Sequence, residues 1–287
     1  MKNNHTYYMI TVEGDREKML TPKDVDVSYR YLRRKCELEP EVALVLGSGI
    51  PRPALDVVCK VPFAEVPHLT KPTVEGHRGA FAFGRTGDVP VVLADGRLHL
   101  YEGIPADVAT LPMRLFARLG CRTVVLTGSV GSLREALAPG NVAVVRDHVN
   151  LAAASPFAGR HYDEFGPRFV AGADAYDADL RERAEELAEP LGFMLKNVVY
   201  VGVPGPQFET AAEAHALASL GGDVVGMSVP NEVLVARQAG LRVLALCAVT
   251  NVAGRAASHD GVLLGAEEPG LKIKTLLEAL LPTLAEE

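Results

Sequence analysis

Arg97, His99 and Tyr101 occupy alternate positions in Gly96-Arg97-Leu98-His99-Leu100-Tyr101-Glu102-Gly103, directly after the apolar run 89–94. In an extended chain these three side chains share one face. An arginine fork beside an imidazole makes a local anion site, and the same pattern would equally suit an exposed polar edge. Gly47-Ser48-Gly49 follows another apolar run, 41–46. Glycines there would let backbone N–H groups approach an anion, with the Ser48 hydroxyl as a further donor; a plain structural turn is the other reading. The turn is not a dinucleotide-binding GxGxxG, because Pro51 and Pro53 stand where that helix would begin, and the P-loop pattern is absent too. His77, in Glu75-Gly76-His77-Arg78-Gly79, is either one more donor or an ordinary surface histidine.

A second set of residues suits a flat heterocycle. In Gly205-Pro206-Gln207-Phe208-Glu209-Thr210, Phe208 can stack on a planar base while Glu209 accepts its N–H groups. The competing reading makes Glu209 an acid at a helix start, favoured by the helix dipole. Gly226-Met227-Ser228 and Thr250-Asn251 each follow apolar strand-like residues, and Asn251 could be a simple turn residue. His259, beside Asp260, is a polar contact or merely a helix start.

These residues need a scaffold that gathers loops. Apolar β-branched runs at 41–46, 89–94, 123–127, 141–145, 198–203 and 242–248 alternate with helical spacing at 105–119, 175–189, 210–220 and 230–239. Uninterrupted apolar strands suit a sheet covered on both faces. The alternation predicts an α/β fold, one domain with a twisted, mostly parallel central sheet flanked by helices. Ligands in such folds collect at the carboxyl ends of strands, where GSG, Thr127-Gly128-Ser129-Val130-Gly131-Ser132, PGPQFE and GMS fall. Residues 1–24 are expected to form an attached N-terminal segment and 25–287 the domain. The stretch from Asn150 to Asp174 has little periodicity, as functional loops often do.

The bulk composition narrows the function. With 29 Lys+Arg against 36 Asp+Glu, the formal net charge is −7, which argues against a nucleic-acid surface. The four cysteines, Cys36, Cys59, Cys121 and Cys247, are isolated, so neither a zinc site nor a disulfide framework is suggested. Cys121 and Cys247 adjoin strand-like runs and suit a core. No 18-residue apolar run and no signal core are found, so no membrane partner and a cytoplasmic setting are expected.

GSG, GHRG, GRLHLYEG, TGSVGSL, DHVNL, GPQFETAAE, GMSVPNEVLVAR and VTN occur in this order between about Glu41 and Val262. The series resembles the trimeric purine nucleoside phosphorylases and the related methylthioadenosine phosphorylases. The resemblance implies a single-domain homotrimer acting in purine salvage on purine nucleosides, with inorganic phosphate as co-substrate and no cofactor or metal. It implies that Ser48, His77, Arg97, His99, the backbone of Ser129, and Ser228 bind phosphate. Tyr101 and Met227 would line the ribose and His259 its 5′-hydroxyl, while Phe208, Glu209 and Asn251 hold the base. Phe165, in Asp163-Glu164-Phe165-Gly166, would enter the neighbouring subunit's site.

Asn251, Glu209 and His99 are then the candidate catalytic residues. Asn251 would donate to purine N7 and O6 as negative charge develops, and Glu209 would anchor N1–H. Asn251 also points to 6-oxopurine nucleosides, inosine and guanosine, because methylthioadenosine phosphorylases carry Asp there. The alternatives are a methylthioadenosine-type enzyme and a nucleoside-binding homologue without turnover. Three places depart from the family pattern: Gly128 where Asn is common, Val229 where Thr is common with Pro230 and Asn231 following, and a short segment from Val252 to Ser258.

Overall fold

The computed structural model describes residues 19–74, 76–152 and 154–284. The first helix, α1 (Pro22–Lys35), begins inside the expected N-terminal segment, whose residues 1–18 lie outside the described residues. Thr21 and Asp24 form a capping box at its start, Pro22 opens it, and Arg33, Arg34 and Lys35 face the negative end of its dipole.

Next come β1 (Val42–Val45), the edge strand β2 (Asp56–Pro62), β3 (Ala80–Thr86) and β4 (Val89–Asp95). The expected helix over 105–119 is two pieces, α2 (Ala106–Ala109) and α3 (Leu111–Leu119), divided at Thr110 ahead of Pro112. Gly120 ends α3 in the left-handed conformation. Strands β5 (Thr123–Ser132) and β6 (Val142–Asn150) lead to α4 (Ala178–Ala188) through a long connection whose one regular piece among the described residues is a 3-10 turn at Asp163–Phe165. The chain continues with β7 (Leu195–Gly202), α5 (Ala211–Ser219), β8 (Val224–Gly226), α6 (Val229–Gln238) and β9 (Arg242–Val252). It closes with α7 (His259–Gly265) and α8 (Glu267–Leu280).

The strands form one sheet in the order β2-β3-β4-β1-β5-β8-β7-β6-β9. Five of its pairings are parallel, among them β1 with β4 and β5, and β5 with β9. The additional β5–β9 pairing returns the last strand to the fifth, so β5, β8, β7, β6 and β9 close into a ring. Four pairings are antiparallel, so the sheet is mixed.

Both faces are buried, with the period of two that a covered sheet requires. Ala43 and Val45 of β1 pack with Phe81, Phe116 and Val233 on the side of α1, α3 and α6, while Val42 and Leu44 pack with Leu180, Ile273 and Leu277 on the side of α4 and α8. In β9, Val243, Ala245, Cys247 and Val249 join the first cluster and Leu244, Leu246 and Ala248 the second. Cys121 and Cys247 are buried core residues, and all four cysteines are free thiols. No helix among the described residues is long and apolar enough to cross a membrane.

Candidate active site

The long strands overturn one expectation. Ser129 and Gly131 lie within β5, and Thr250 and Asn251 lie within β9, not in loops beyond shorter strands. A register shift opposite Val130 and Gly131 leaves Thr250 without a cross-strand partner, and such bulges re-aim neighbouring side chains. Asn251 thereby faces a cavity of about 280 Å³ whose lining comes from six strand ends. Ser48, Arg97, His99, Tyr101, Ser129, Phe208, Glu209, Met227, Ser228, Asn251 and His259 all line it. The cavity thus unites residues up to 214 positions apart in the chain (Ser48 to Val262).

The polar end is built by close backbone approach. A Cβ at Gly47 would stand 2.6 Å from Gly128 Cα and 2.9 Å from Arg97 Nη1, so the turn after β1 can pass over β5 only as glycine. Gly47 N–H donates to Thr127 Oγ1 at 3.0 Å, and Thr127 Oγ1 donates to Val45 O. Ser129 Oγ donates to Ser48 O at 2.8 Å. Ser48 Oγ lies 3.2 Å from Nε2 of His77, which backs the cavity without lining it. His77, His99 and Tyr101 form a column of rings with centroids 5.2 and 4.6 Å apart. Arg97, His99 and Tyr101 share the cavity as expected, although a 3-10 turn at Leu100–Glu102 brings Tyr101 there and not a strand.

Two carboxylates that sequence reasoning missed organise this end. Glu232 accepts from Arg97 Nε and Nη2, both at 3.1 Å, while Arg97 Nη1 donates to Thr127 O at 2.7 Å. The guanidinium is therefore already paired, and its second Nη hydrogens are what it retains for a ligand. Glu102 accepts from the backbone and Nδ1 of His99 and from the backbone and hydroxyl of Thr73. Glu102 could have been found from its position three residues after His99, a capping-box spacing. Glu232 carried no local signal, since its partner is 135 residues away.

These surroundings fix the protonation states. Burial, then the neighbouring His99 and Arg97, lower the His77 pKa to about 3. Burial likewise lowers His99. Burial acts to raise Glu102, but its hydrogen bonds from His99 and Thr73 outweigh this and hold it at about 2. Burial, with Glu102 nearby, pushes Tyr101 up to about 12. The result is an anion, Glu102, beneath a neutral imidazole and a neutral phenol.

At the other end, Thr210 is the N-cap of α5 and Glu213 completes its capping box. The helix-start role considered for Glu209 thus belongs to its neighbours, and Glu209 lines the cavity, its pKa raised by burial. Thr250 Oγ1 donates to Asn251 Oδ1 at 2.9 Å, leaving Nδ2 as the polar atom for a ligand. A Cβ at Gly131 would come within 3.2 Å of that Nδ2. Ser228 caps α6 without a side-chain bond to it, so its hydroxyl is uncommitted to the helix, and Pro230 fits in the first turn. His259 both starts α7 and lines the cavity. Phe165 stands apart from the cavity and lies 3.9 Å from the Arg114 guanidinium. Among the described residues no group of three or more His, Cys, Asp or Glu could hold a metal ion.

The sequence profile of the Phosphorylase superfamily matches residues 41–282. Purine nucleoside phosphorylase 1 of Geobacillus stearothermophilus is 32% identical over 268 residues, covering 91% of this chain and 98% of its own. The purine nucleoside phosphorylase of Bos taurus is 35% identical over 278 residues, 92% of this chain and 96% of its own. The crystal structure of a Schistosoma purine nucleoside phosphorylase in complex with hypoxanthine superposes with a TM-score of 0.85 at 31% identity, covering 93% of this chain and 99% of that one.

Proposed function

Because the chain belongs to the purine nucleoside phosphorylase family of the Phosphorylase superfamily, and is thereby an enzyme of the pentosyltransferase class, we propose that it cleaves 6-oxopurine nucleosides, inosine and guanosine. Inorganic phosphate is the co-substrate, and free base and ribose 1-phosphate are the products. The observation that carries this reading is the single cavity in which Ser48, Arg97, His99, Ser129 and Ser228 adjoin Phe208, Glu209 and Asn251. This lining suits an oxyanion at one end and a planar base at the other, with a sugar between them.

The C1′–N9 bond breaks with its electron pair passing to the purine, and a phosphate oxygen forms the new bond to C1′. The ribose gains cationic character midway, and a phosphate dianion at the polar end stabilises it. Arg97, its charge offset by Glu232, donates to the anion with the Ser48 and Ser228 hydroxyls and the backbone of Ser129, while neutral His99, its Nδ1–H given to Glu102, offers Nε2 as an acceptor to the phosphate's own hydrogen, and His77 backs Ser48 from outside the cavity. Asn251 Nδ2 donates to N7 and O6 as the base becomes negative. Glu209 accepts from N1–H and, in guanosine, the 2-amino group. Tyr101 and Met227 line the sugar and His259 meets its 5′-hydroxyl. A preorganised donor of the Asn251 kind is worth about 3–4 kcal/mol, roughly 10²–10³ in rate. No metal or organic cofactor has a role in this reading.

From the family likeness we also propose a homotrimer in which Phe165, which lies outside the cavity of its own chain, enters the site of a neighbouring copy. We place the enzyme in the cytoplasm, in purine salvage. A xanthine oxidase-coupled assay with inosine, with and without phosphate, tests the function. Phosphate-dependent hypoxanthine release is expected, whereas phosphate-independent release would mean a hydrolase and no release a binding protein. Faster turnover of methylthioadenosine than of inosine would overturn the 6-oxopurine preference.

A further inference from the structure

We propose that Asp95 is the positioning residue of the phosphate-binding end: its carboxylate clasps Arg52 and Arg78 and so holds Ser48 and His77 in place against Arg97. The inference rests on the reading of that end as a phosphate site. Asp95 closes β4 with a side chain only 13% exposed. Its Oδ2 accepts from Arg52 Nη2 and lies 3.6 Å from Arg78 Nη1. Arg52 Nε is buried with no hydrogen-bond partner among the described residues, and the bond from Nη2 to Asp95 is what anchors the guanidinium.

Each arm of the clasp lies close in sequence to a different phosphate-site residue, the Arg52 arm hydrogen-bonded and the Arg78 arm a 3.6 Å contact of a side chain 74% exposed. Arg52 follows Ser48 by four positions, between Pro51 and Pro53, whose fixed φ angles stiffen the link. Arg78 directly follows His77. Asp95 O also accepts from Gly79 N–H at 2.9 Å, which ties the same loop to the end of β4. Gly96, at φ 106°, leaves room for His77, since a Cβ there would stand 2.7 Å from His77 Cβ and 2.8 Å from its Nδ1. Arg97 comes one residue later. The segments after β1, before β3 and after β4 therefore meet at one carboxylate, and the 3.2 Å contact between Ser48 and His77 is the product of that meeting.

Asp95, Arg52 and Arg78 do not line the cavity, so they act through the residues that do. Simple electrostatics gives the opposite expectation. A carboxylate near an anion site repels the anion, and neutralising it would strengthen phosphate binding. The sign of the effect separates positioning from field.

The test is inosine phosphorolysis with phosphate and inosine varied in turn, for the unmodified chain, Asp95→Asn, Arg52→Gln and the double variant. Asp95→Asn is expected to raise the phosphate KM about tenfold, equivalent to ~1.4 kcal/mol, while the inosine KM stays within about twofold. Arg52→Gln moves the phosphate KM in the same direction, and the double variant is no worse than the worse single one because one clasp is lost in each. An unchanged or lowered phosphate KM in Asp95→Asn, or an equal rise in both KM values, overturns the proposal. If Asp95→Asn fails to fold by thermal unfolding, Arg52→Gln and Arg78→Gln carry the same comparison. Turnover of inosine by the unmodified chain that ignores phosphate would instead refute the phosphate site itself.

Discussion

Replacing Arg97 by Met removes the guanidinium from the cavity wall and leaves the Glu232 carboxylate behind. The two side chains are 4% and 6% exposed and joined by two hydrogen bonds of 3.1 Å. A pair enclosed to this degree falls outside the class of surface ion pairs worth about 0–1 kcal/mol. Removing one partner strands a buried charge, at a cost of about 3–5 kcal/mol. At roughly 2–4 °C per kcal/mol for a chain of this size, Arg97→Met should melt about 6–20 °C lower. Glu232→Met should cost a similar amount by stranding Arg97. In that variant added phosphate should restore more of the melting temperature than it does in the unmodified chain, because the anion takes the place of the lost carboxylate. The double Met variant should lose less stability than either single change, since apolar side chains of similar length replace the whole pair. Its phosphate KM should nonetheless stay raised, because the donor to the anion is gone. Thermal unfolding of the four proteins with and without phosphate, together with phosphate kinetics, makes the measurement. Losses in the double variant equal to the sum of the single ones would refute the coupling that the geometry implies.

Three further outcomes are expected. His77 has a folded pKa of about 3 against an ordinary 6.5, so the unfolded chain binds the extra proton between these values and stability falls as pH drops below 6.5. At pH 5 this amounts to about 2 kcal/mol, and urea unfolding at pH 5 and 7.5 should show a smaller difference for His77→Gln; an equal difference would mean that His77 is not buried as a neutral ring. Burial raises the Glu209 pKa above 4.5, so kcat/KM for guanosine should lose activity on acidification at a pH above that value, and the limb should vanish in Glu209→Gln. A limb that persists unchanged would assign it to another group. Thr250→Val frees the Asn251 amide and should reduce the preference for inosine over adenosine roughly fivefold to tenfold, the worth of one neutral hydrogen bond, whereas Thr250→Ser should retain it. Equal behaviour of the Val and Ser variants would show that the Thr250 hydroxyl does not orient the amide.

The sequence by itself determined the α/β class, because six apolar β-branched runs alternating with helical spacing demand a sheet buried on both faces. It also determined the residue types of the site, since Arg97, His99 and Tyr101 or Phe208 and Glu209 carry their chemistry in a few consecutive letters. Local rules failed where the deciding partner is remote. Strand β2 was missed because as an edge strand it leaves Val57 and Val58 exposed and lacks a clean alternation. The lengths of β5 and β9 were missed because glycine, serine and asparagine have poor strand propensity, which their mutual pairing overrides. The ring closure of β5 on β9 is a contact between segments about 120 residues apart, and no periodicity reports it. Tertiary structure alone decided that Glu232 neutralises Arg97, that Glu213 and not Glu209 serves the helix start, and that His77 and His99 stay neutral. Charge and burial are properties of the surroundings, and the chain acquires those surroundings only by folding.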